Sequence, residues 1–136
     1  STAPDMGFGH GAKNAKPWLP LAESHRALAV DRQEADADSV LHTYRHLLQW
    51  RRKQPALMQG NLQLLPAHPQ VLAYVRQGGG QRLLCAFNPS DKPASLNLPA
   101  AHQVAEVLAD SGARGATVKG DTLNFDPWGV LFARLS

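Results

Sequence analysis

The sequence predicts a mainly β protein, in which an antiparallel β-sandwich follows one amphipathic helix and a long loop. Three observations support this fold class. Short runs rich in Val, Leu and Phe recur from residue 56 to the C-terminus with turn residues between them. Apolar side chains between residues 38 and 54 repeat with the period of a helix. Glycine and proline interrupt residues 1–37, which show little periodicity.

The predicted helix spans residues 38–54. Asp38 or Ser39 can accept a hydrogen bond from the free amides of the first turn, and Pro55 ends the helix because the residue before proline avoids the α region. Trp50 lies off the centre of the apolar side, which indicates a second contact surface. The stripe predicted to be buried consists of Val40, Leu41, Tyr44, Leu47, Leu48 and Arg51.

Seven strands are predicted in the second half of the chain. The run Gly78–Gly80 separates two of them and indicates a β-hairpin. Cys85 lies within an apolar run, where a small buried side chain is the ordinary interpretation. The predicted strands are 61–65, 71–76, 81–87, 94–98, 104–109, 122–125 and 129–135.

Composition excludes several classes of protein. A chain of 136 residues with a single cysteine has no internal disulfide and no zinc site built on several thiolates. No apolar run approaches the roughly 20 residues that span a membrane, and no signal peptide opens the sequence, so a cytoplasmic location is expected. The net charge of +3 is scattered and not interleaved with aromatic residues, so no nucleic-acid partner is expected.

No catalytic constellation is evident. The eleven acidic residues lie in loops, at the helix start or in turns, except Glu106, which is expected to point to solvent from a strand. His42 and His46 are four residues apart on the helix, but no third ligand is near, so a solvated face is the expected reading. The sequence therefore predicts no catalytic pair, no metal site and no cofactor.

A resemblance adds what these residues do not show. The chain resembles the C-terminal part of the α-glucosidases of the α-amylase family (glycoside hydrolase family 13), of the oligo-1,6-glucosidase and trehalulose synthase type. The resemblance covers essentially the whole chain. Its most specific part is the Lys-Pro-Trp-Leu-Pro segment followed by the helix and Pro-Ala-Leu. The matching positions are Gly7-Phe8, Lys16-Pro17-Trp18-Leu19-Pro20, Asp38-Ser39-Val40-Leu41, Tyr44-Arg45, Leu47, Arg51, Pro55-Ala56-Leu57, Gly60 and Phe87-Asn88.

The resemblance implies a division of the chain. Residues 1–57 would be the end of a catalytic (β/α)8 barrel, with a loop at 1–37 and the last barrel helix at 38–54, and residues 58–136 would be the C-terminal antiparallel β domain. The parent enzyme would hydrolyse or transfer terminal α-linked glucose of small oligosaccharides. Its catalytic carboxylates would lie before Ser1, so this chain would be an inactive fragment that braces the barrel.

The same resemblance suggests where substrate and partners would meet the chain. Phe8, Lys13 and Lys16 would shape the acceptor side of the parent's pocket, because loops after barrel strands surround the active site. The helix stripe would lack its barrel partner, so self-association through helix 38–54 is expected.

An alternative is a stand-alone carbohydrate-binding or interaction β-domain. Sugar binding would need exposed aromatic side chains as stacking surfaces. The four aromatic candidates, each expected to serve packing instead, are Trp18, Trp50, Tyr74 and Trp128.

Overall fold

The computed structural model describes residues 1–3, 7, 19–20, 22–66 and 68–136. These residues form two compact units, Ser1–His46 and Leu47–Ser136. The boundary falls inside a helix, earlier than the division at residue 57 that the sequence suggests. The assignment of residues 1–57 to the end of a barrel therefore stays a prediction.

The first unit contains more helix than predicted. A 3-10 helix, Glu23–Leu28, and a short α-helix, α1 (Val30–Glu34), lie within the segment expected to be a loop. Gln33 stabilises α1 by contacts outside it: its carbonyl accepts from Ser39 Oγ at 2.8 Å, and its side-chain oxygen accepts from the Leu41 amide at 3.0 Å. Helices this short have two turns or fewer, so their sequences show no apolar period.

Helix α2 spans Val40–Arg52, within the predicted 38–54. Ser39 is buried, and its hydroxyl accepts the His42 amide hydrogen at 3.4 Å, as an N-cap does. Helix α2 ends before Pro55, as predicted, and Gln54 before the proline is extended. Pro55 also has a second role. It starts a separate helix, α3 (Pro55–Gln59), at whose first turn its missing amide hydrogen costs nothing.

The prediction that the α2 stripe is buried is confirmed only in part: Leu41 and Leu47 are partly buried, and the other positions are exposed. Val40 is 78% exposed, Tyr44 is 61% exposed, and Leu48 is also exposed. Trp50 is instead the buried residue of the helix. The second contact surface expected from Trp50 is therefore the one that this structure uses.

The second unit is an antiparallel β-sandwich, as predicted. A five-stranded sheet has the order β1-β2-β3-β8-β5, and a three-stranded sheet has the order β4-β7-β6. The strands are β1 (Asn61–Leu64), β2 (Leu72–Gly78), β3 (Gln81–Phe87), β4 (Ala94–Asn97), β5 (Val104–Val107), β6 (Ala116–Lys119), β7 (Thr122–Phe125) and β8 (Val130–Leu135). The expected hairpin joins β2 to β3 through Gly79 and Gly80, which both have positive φ.

Two details of the strands differ from the prediction. Strand β6 was not predicted, because Ala116–Lys119 contains a single large apolar residue between two glycine turns. The strand expected at 104–109 ends at Val107, and a 3-10 turn, Ala109–Ser111, follows it.

The core lies between the two sheets. Inward-facing side chains of both sheets alternate with outward-facing ones, as the pleat requires. The core consists of Leu65, Val71, Ala73, Val75, Leu84, Ala86, Ala94, Leu98, Leu123, Phe125, Leu131, Ala133 and Leu135.

Candidate docking face on the five-stranded sheet

The five-stranded sheet is apolar on both faces. Its inner face forms the sandwich core, and its outer face carries a second buried cluster formed with the end of α2 and with α3. Trp50 packs on Phe132 with ring centroids 5.0 Å apart. The cluster consists of Trp50, Ala56, Leu57, Leu83, Cys85, Leu108 and Phe132.

Aromatic side chains extend this outer cluster towards the edge of the sheet. Phe87 meets Phe132 edge to face at 5.8 Å and stacks with Tyr74 at 5.9 Å. Both Tyr74 and Phe87 are only partly buried. The helices therefore cover one side of the outer face and leave the other side open.

Three leucines occupy the open side. Leu64 is 64% exposed, and Leu62 and Leu72 are each at least half exposed. Leu64 pairs with Tyr74, and Leu72 pairs with Phe87. Directly opposed residues of antiparallel strands project from the same side of a sheet, so these side chains share one face. We call Leu62, Leu64, Leu72, Tyr74 and Phe87 the docking face.

The backbone beneath the docking face is closely packed. A Cβ on Gly60 would lie 2.4 Å from the carbonyl oxygen of Ala56 and 2.7 Å from that of Gln77, so only glycine fits where α3 meets β1. Arg76 Nη2 donates to the Gly60 carbonyl at 2.7 Å. These contacts hold the edge strand β1 in register, so its leucines stay on this face.

The chemistry of this face is inert. Cys85 is fully buried, and burial raises the pKa of its thiol to about 11. Burial also raises the pKa of the Tyr74 phenol above its ordinary value. A thiol that is protonated at neutral pH is no nucleophile, and the prediction that Cys85 is a small buried side chain is confirmed.

Several acidic residues of the described chain have structural partners. Glu106 is exposed and lies 3.2 Å from Arg134 across the strand pair, as expected for a solvated position. Hydrogen bonds from Arg45 lower the pKa of Glu34, and hydrogen bonds from Arg26 lower the pKa of Glu23. Carboxyls with lowered pKa values are ionised at neutral pH and are poor general acids.

Among the described residues, the histidines are not brought together either. His42 Nε2 lies 3.1 Å from the carbonyl oxygen of Glu34, so a backbone group occupies it. The part of the chain that the structure describes has no group of three residues that could hold a metal.

The predicted substrate-side residues Phe8, Lys13 and Lys16 lie outside the described residues, as does Trp18. Sequence reasoning missed the docking face itself. The signal was present, because Leu62 and Leu64 alternate with Asn61 and Gln63, but alternation does not say which face of a strand is the covered one. Among the described residues, no helix is long and apolar enough to cross a bilayer.

Comparison with known proteins defines the class. Residues 62–131 match the family described as the C-terminal domain of maltogenic amylase. The chain belongs to this family. The resemblance to the C-terminal part of α-glucosidases in the α-amylase family is therefore confirmed.

Particular relatives agree with this class. A probable α-glucosidase of Rhizobium meliloti is 36% identical over 133 residues, which are 98% of this chain and 23% of that protein. The structure of the α-glucosyl transfer enzyme XgtA superposes with a TM-score of 0.81 at 40% identity, over 89% of this chain and 22% of that one. The trehalulose synthase MutB of Pseudomonas mesoacidophila gives 0.78 at 29% identity, with 89% and 22% covered. This chain thus spans less than a quarter of the length of these proteins.

Proposed function

We propose that this chain is the structural C-terminal β part of an α-glucosidase-type glycoside hydrolase, and that its docking face packs against the catalytic domain. The parent would hydrolyse or transfer terminal α-linked glucose of small oligosaccharides. The names of the similar proteins, an α-glucosidase and glucosyl-transfer enzymes, support this substrate class.

The docking face is the observation that carries the proposal. Burial of a large apolar side chain is worth roughly 1.5–3 kcal/mol, so three half-exposed leucines beside two aromatic rings leave several kcal/mol unrealised. A patch of this kind on a sheet already covered on one side is typical of a surface between domains. A structural role explains it without any catalytic group.

In this proposal the hydrolysis or transfer reaction takes place in the catalytic domain of the parent enzyme. Retaining glycosidases use two carboxyl groups about 5–5.5 Å apart, one as nucleophile and one as acid and base. Those two groups would lie in the catalytic domain outside this chain. Phe8, Lys13 and Lys16 are proposed to line the acceptor side of its pocket, by their place in the resemblance alone.

We also propose that the chain, when separated from a catalytic domain, self-associates through the exposed stripe of α2. Val40 and Tyr44 are more than half exposed, and both lie on one side of the helix. A two-fold pairing of these stripes would cover both copies with the same surface. A cytoplasmic location, expected from the sequence, stays part of the proposal.

An activity assay tests the proposed role of the chain. The purified chain is expected to show no turnover of p-nitrophenyl α-D-glucopyranoside above that of a heat-denatured control. The gene upstream of the Ser1 codon is expected to encode a barrel with the paired carboxylates, and that longer protein is expected to be active. Turnover by the chain alone, in a preparation free of longer protein, would overturn the structural role.

A further inference from the structure

Strand β1 forms one edge of the five-stranded sheet. Within the described sheets it pairs with β2 alone, and its register with β2 is regular from Asn61 to Leu64. All of its residues are exposed, so side chains on both faces of the strand reach solvent. An edge strand presents a row of backbone N–H and C=O groups that have no partner in the sheet.

The register identifies these free backbone groups. The Leu65 amide donates to the Ala73 carbonyl at 3.0 Å, so the odd-numbered residues of β1 are those that bond to β2. Because bonded positions alternate along an antiparallel strand, the N–H and C=O groups of Leu62 and Leu64 point away from β2. These two leucines therefore carry exposed side chains of the docking face as well as the free groups of the edge.

The other three edge strands of the described sheets have features that hinder pairing. Strand β5 has a register shift between Val104 and Glu106, and Glu106 adds a charge. Strand β6 ends on Lys119, and β4 directly follows Lys92 and Pro93. Charges, prolines and bulges of this kind keep an edge from pairing with another chain. Strand β1, with the sequence Asn-Leu-Gln-Leu, has none of them.

Exposed apolar side chains elsewhere do not have free backbone groups in a row. Trp128, which was expected from the sequence to serve packing, is instead 65% exposed in the turn between β7 and β8. Its backbone φ is +61°, outside the extended region that a strand requires. Strand β1 combines exposed apolar side chains with an extended, regular backbone, which is the combination that accepts a further strand.

We propose that an extended, uncharged segment of the catalytic domain pairs with β1 and adds a strand to the five-stranded sheet. This inference rests on the proposed function, in which the docking face packs against that domain. A body that packs on the side chains of Leu62 and Leu64 lies beside the free backbone groups of the same residues. This chain spans less than a quarter of the similar proteins, so their remaining length can supply the segment.

The composition of β1 indicates the chemistry of that segment. The strand has no charged side chain, so a charge placed against it would be buried without a partner. Leu62 and Leu64 project from one face, and cross-strand neighbours on one face pack together, so apolar residues at alternate positions fit beside them. Hydrogen bonds between the two backbones would supply affinity, and these alternate side chains would supply specificity.

Hydrogen exchange at single amides tests the inference in the parent protein and in this chain alone. In the chain alone, we expect the Leu62 and Leu64 amides to exchange fast and the Gln63 amide, which bonds to β2, to exchange slowly. In the parent, the Leu62 and Leu64 amides are expected to exchange about a hundredfold more slowly or less, so protection no longer alternates. Fast exchange of both amides in the parent, with Gln63 still protected, would overturn the added strand. Protection that is already present in the chain alone and rises with concentration would also overturn it, because a second copy would then occupy the edge.

A proline substitution tests the free amide itself. Leu64→Pro removes an N–H that points away from β2, and proline is tolerated at such edge positions. Leu64→Ala is the matched control, because it shortens the same side chain and keeps the amide. The two variants of the chain alone are expected to have similar midpoints of thermal unfolding. In the parent, Leu64→Pro is expected to speed exchange of the Leu62 amide at least about tenfold relative to Leu64→Ala. Equal exchange in the two parent variants would contradict the added strand.

Leu72→Asp separates this inference from the proposed function. Leu72 belongs to the docking face but lies on β2, away from the free edge. If the docking face packs on the catalytic domain, this substitution lowers the unfolding midpoint of the parent more than that of the chain alone. That result with fast Leu62 and Leu64 amides would overturn the added strand and keep the docking. Equal effects of Leu72→Asp on the two proteins would contradict the docking and, with it, the added strand.

Discussion

At the scale of single residues, Cys85 links burial to the pH dependence of stability. Its thiol is fully buried, and burial raises its pKa from the ordinary 9.0 to about 11. Between these two values the unfolded chain loses the thiol proton and the folded chain keeps it. The folded state then binds more protons, so the free energy of unfolding falls as pH rises through this range.

The expected slope from this thiol averages about 1 kcal/mol per pH unit between pH 9 and 11, because both states are partly ionised in this range. Urea unfolding at several pH values measures this slope. The unchanged chain is compared with the variant Cys85→Ala. The variant is less stable at pH 8 because it leaves a small cavity, but its stability is expected to fall less steeply above pH 9. Equal slopes in the two proteins would contradict the buried, protonated thiol.

Single residues also show what the sequence could and could not reveal. The burial of Cys85 follows from its apolar neighbours in the sequence and is confirmed. The positive φ of Trp128 does not follow from the sequence, because it depends on hydrogen bonds from loops that are distant along the chain. Local sequence reports propensity, whereas these contacts arise only when the sandwich closes.

At the scale of elements, helix α2 has an apolar stripe with no cover at its exposed positions. The helix was predictable because its apolar period persists over several turns. The side of the helix that is covered could not be predicted, because periodicity shows where an apolar stripe lies on the helix and not what packs against it. The short helices before α2 and strand β6 escaped prediction for a different reason: each is too short to show a period.

The exposed apolar stripe of α2 predicts that copies of the chain associate with one another. Light scattering is expected to give the mass of a dimer for the unchanged chain at high concentration. Tyr44→Glu places a charge in the stripe and is expected to shift the chain to monomer with little loss of stability, because Tyr44 is already exposed. The matched control Gln49→Glu adds the same charge at another exposed position of α2 and is expected to leave the dimer intact.

A chain that stays monomeric at high concentration would contradict this assignment. So would equal masses for Tyr44→Glu and Gln49→Glu, because the interface would then lie elsewhere on the molecule.

At the scale of the whole molecule, the sandwich is an asymmetric body. The outer face of its three-stranded sheet is polar, with Ser95, Thr117 and Asn124, whereas the outer face of its five-stranded sheet is apolar. The alternation of side chains along strands predicted a sandwich with an inner core. It did not predict the second apolar face, because that requires knowing which strands pair and in which register.

This asymmetry defines the central claim, that the docking face binds a catalytic domain. The most direct test mixes this chain with the separately expressed catalytic domain proposed to precede it and measures binding by calorimetry. The double variant Leu62→Asp and Leu64→Asp, on the docking face, is matched by Ser95→Asp and Thr117→Asp on the polar face. All three proteins are expected to keep similar thermal unfolding midpoints, because the four side chains are already exposed.

We expect the unchanged chain and the polar-face variant to form a one-to-one complex, and the docking-face variant to bind at least about a hundredfold more weakly. Equal binding by both variants, or no complex with the folded chain, would contradict the claim.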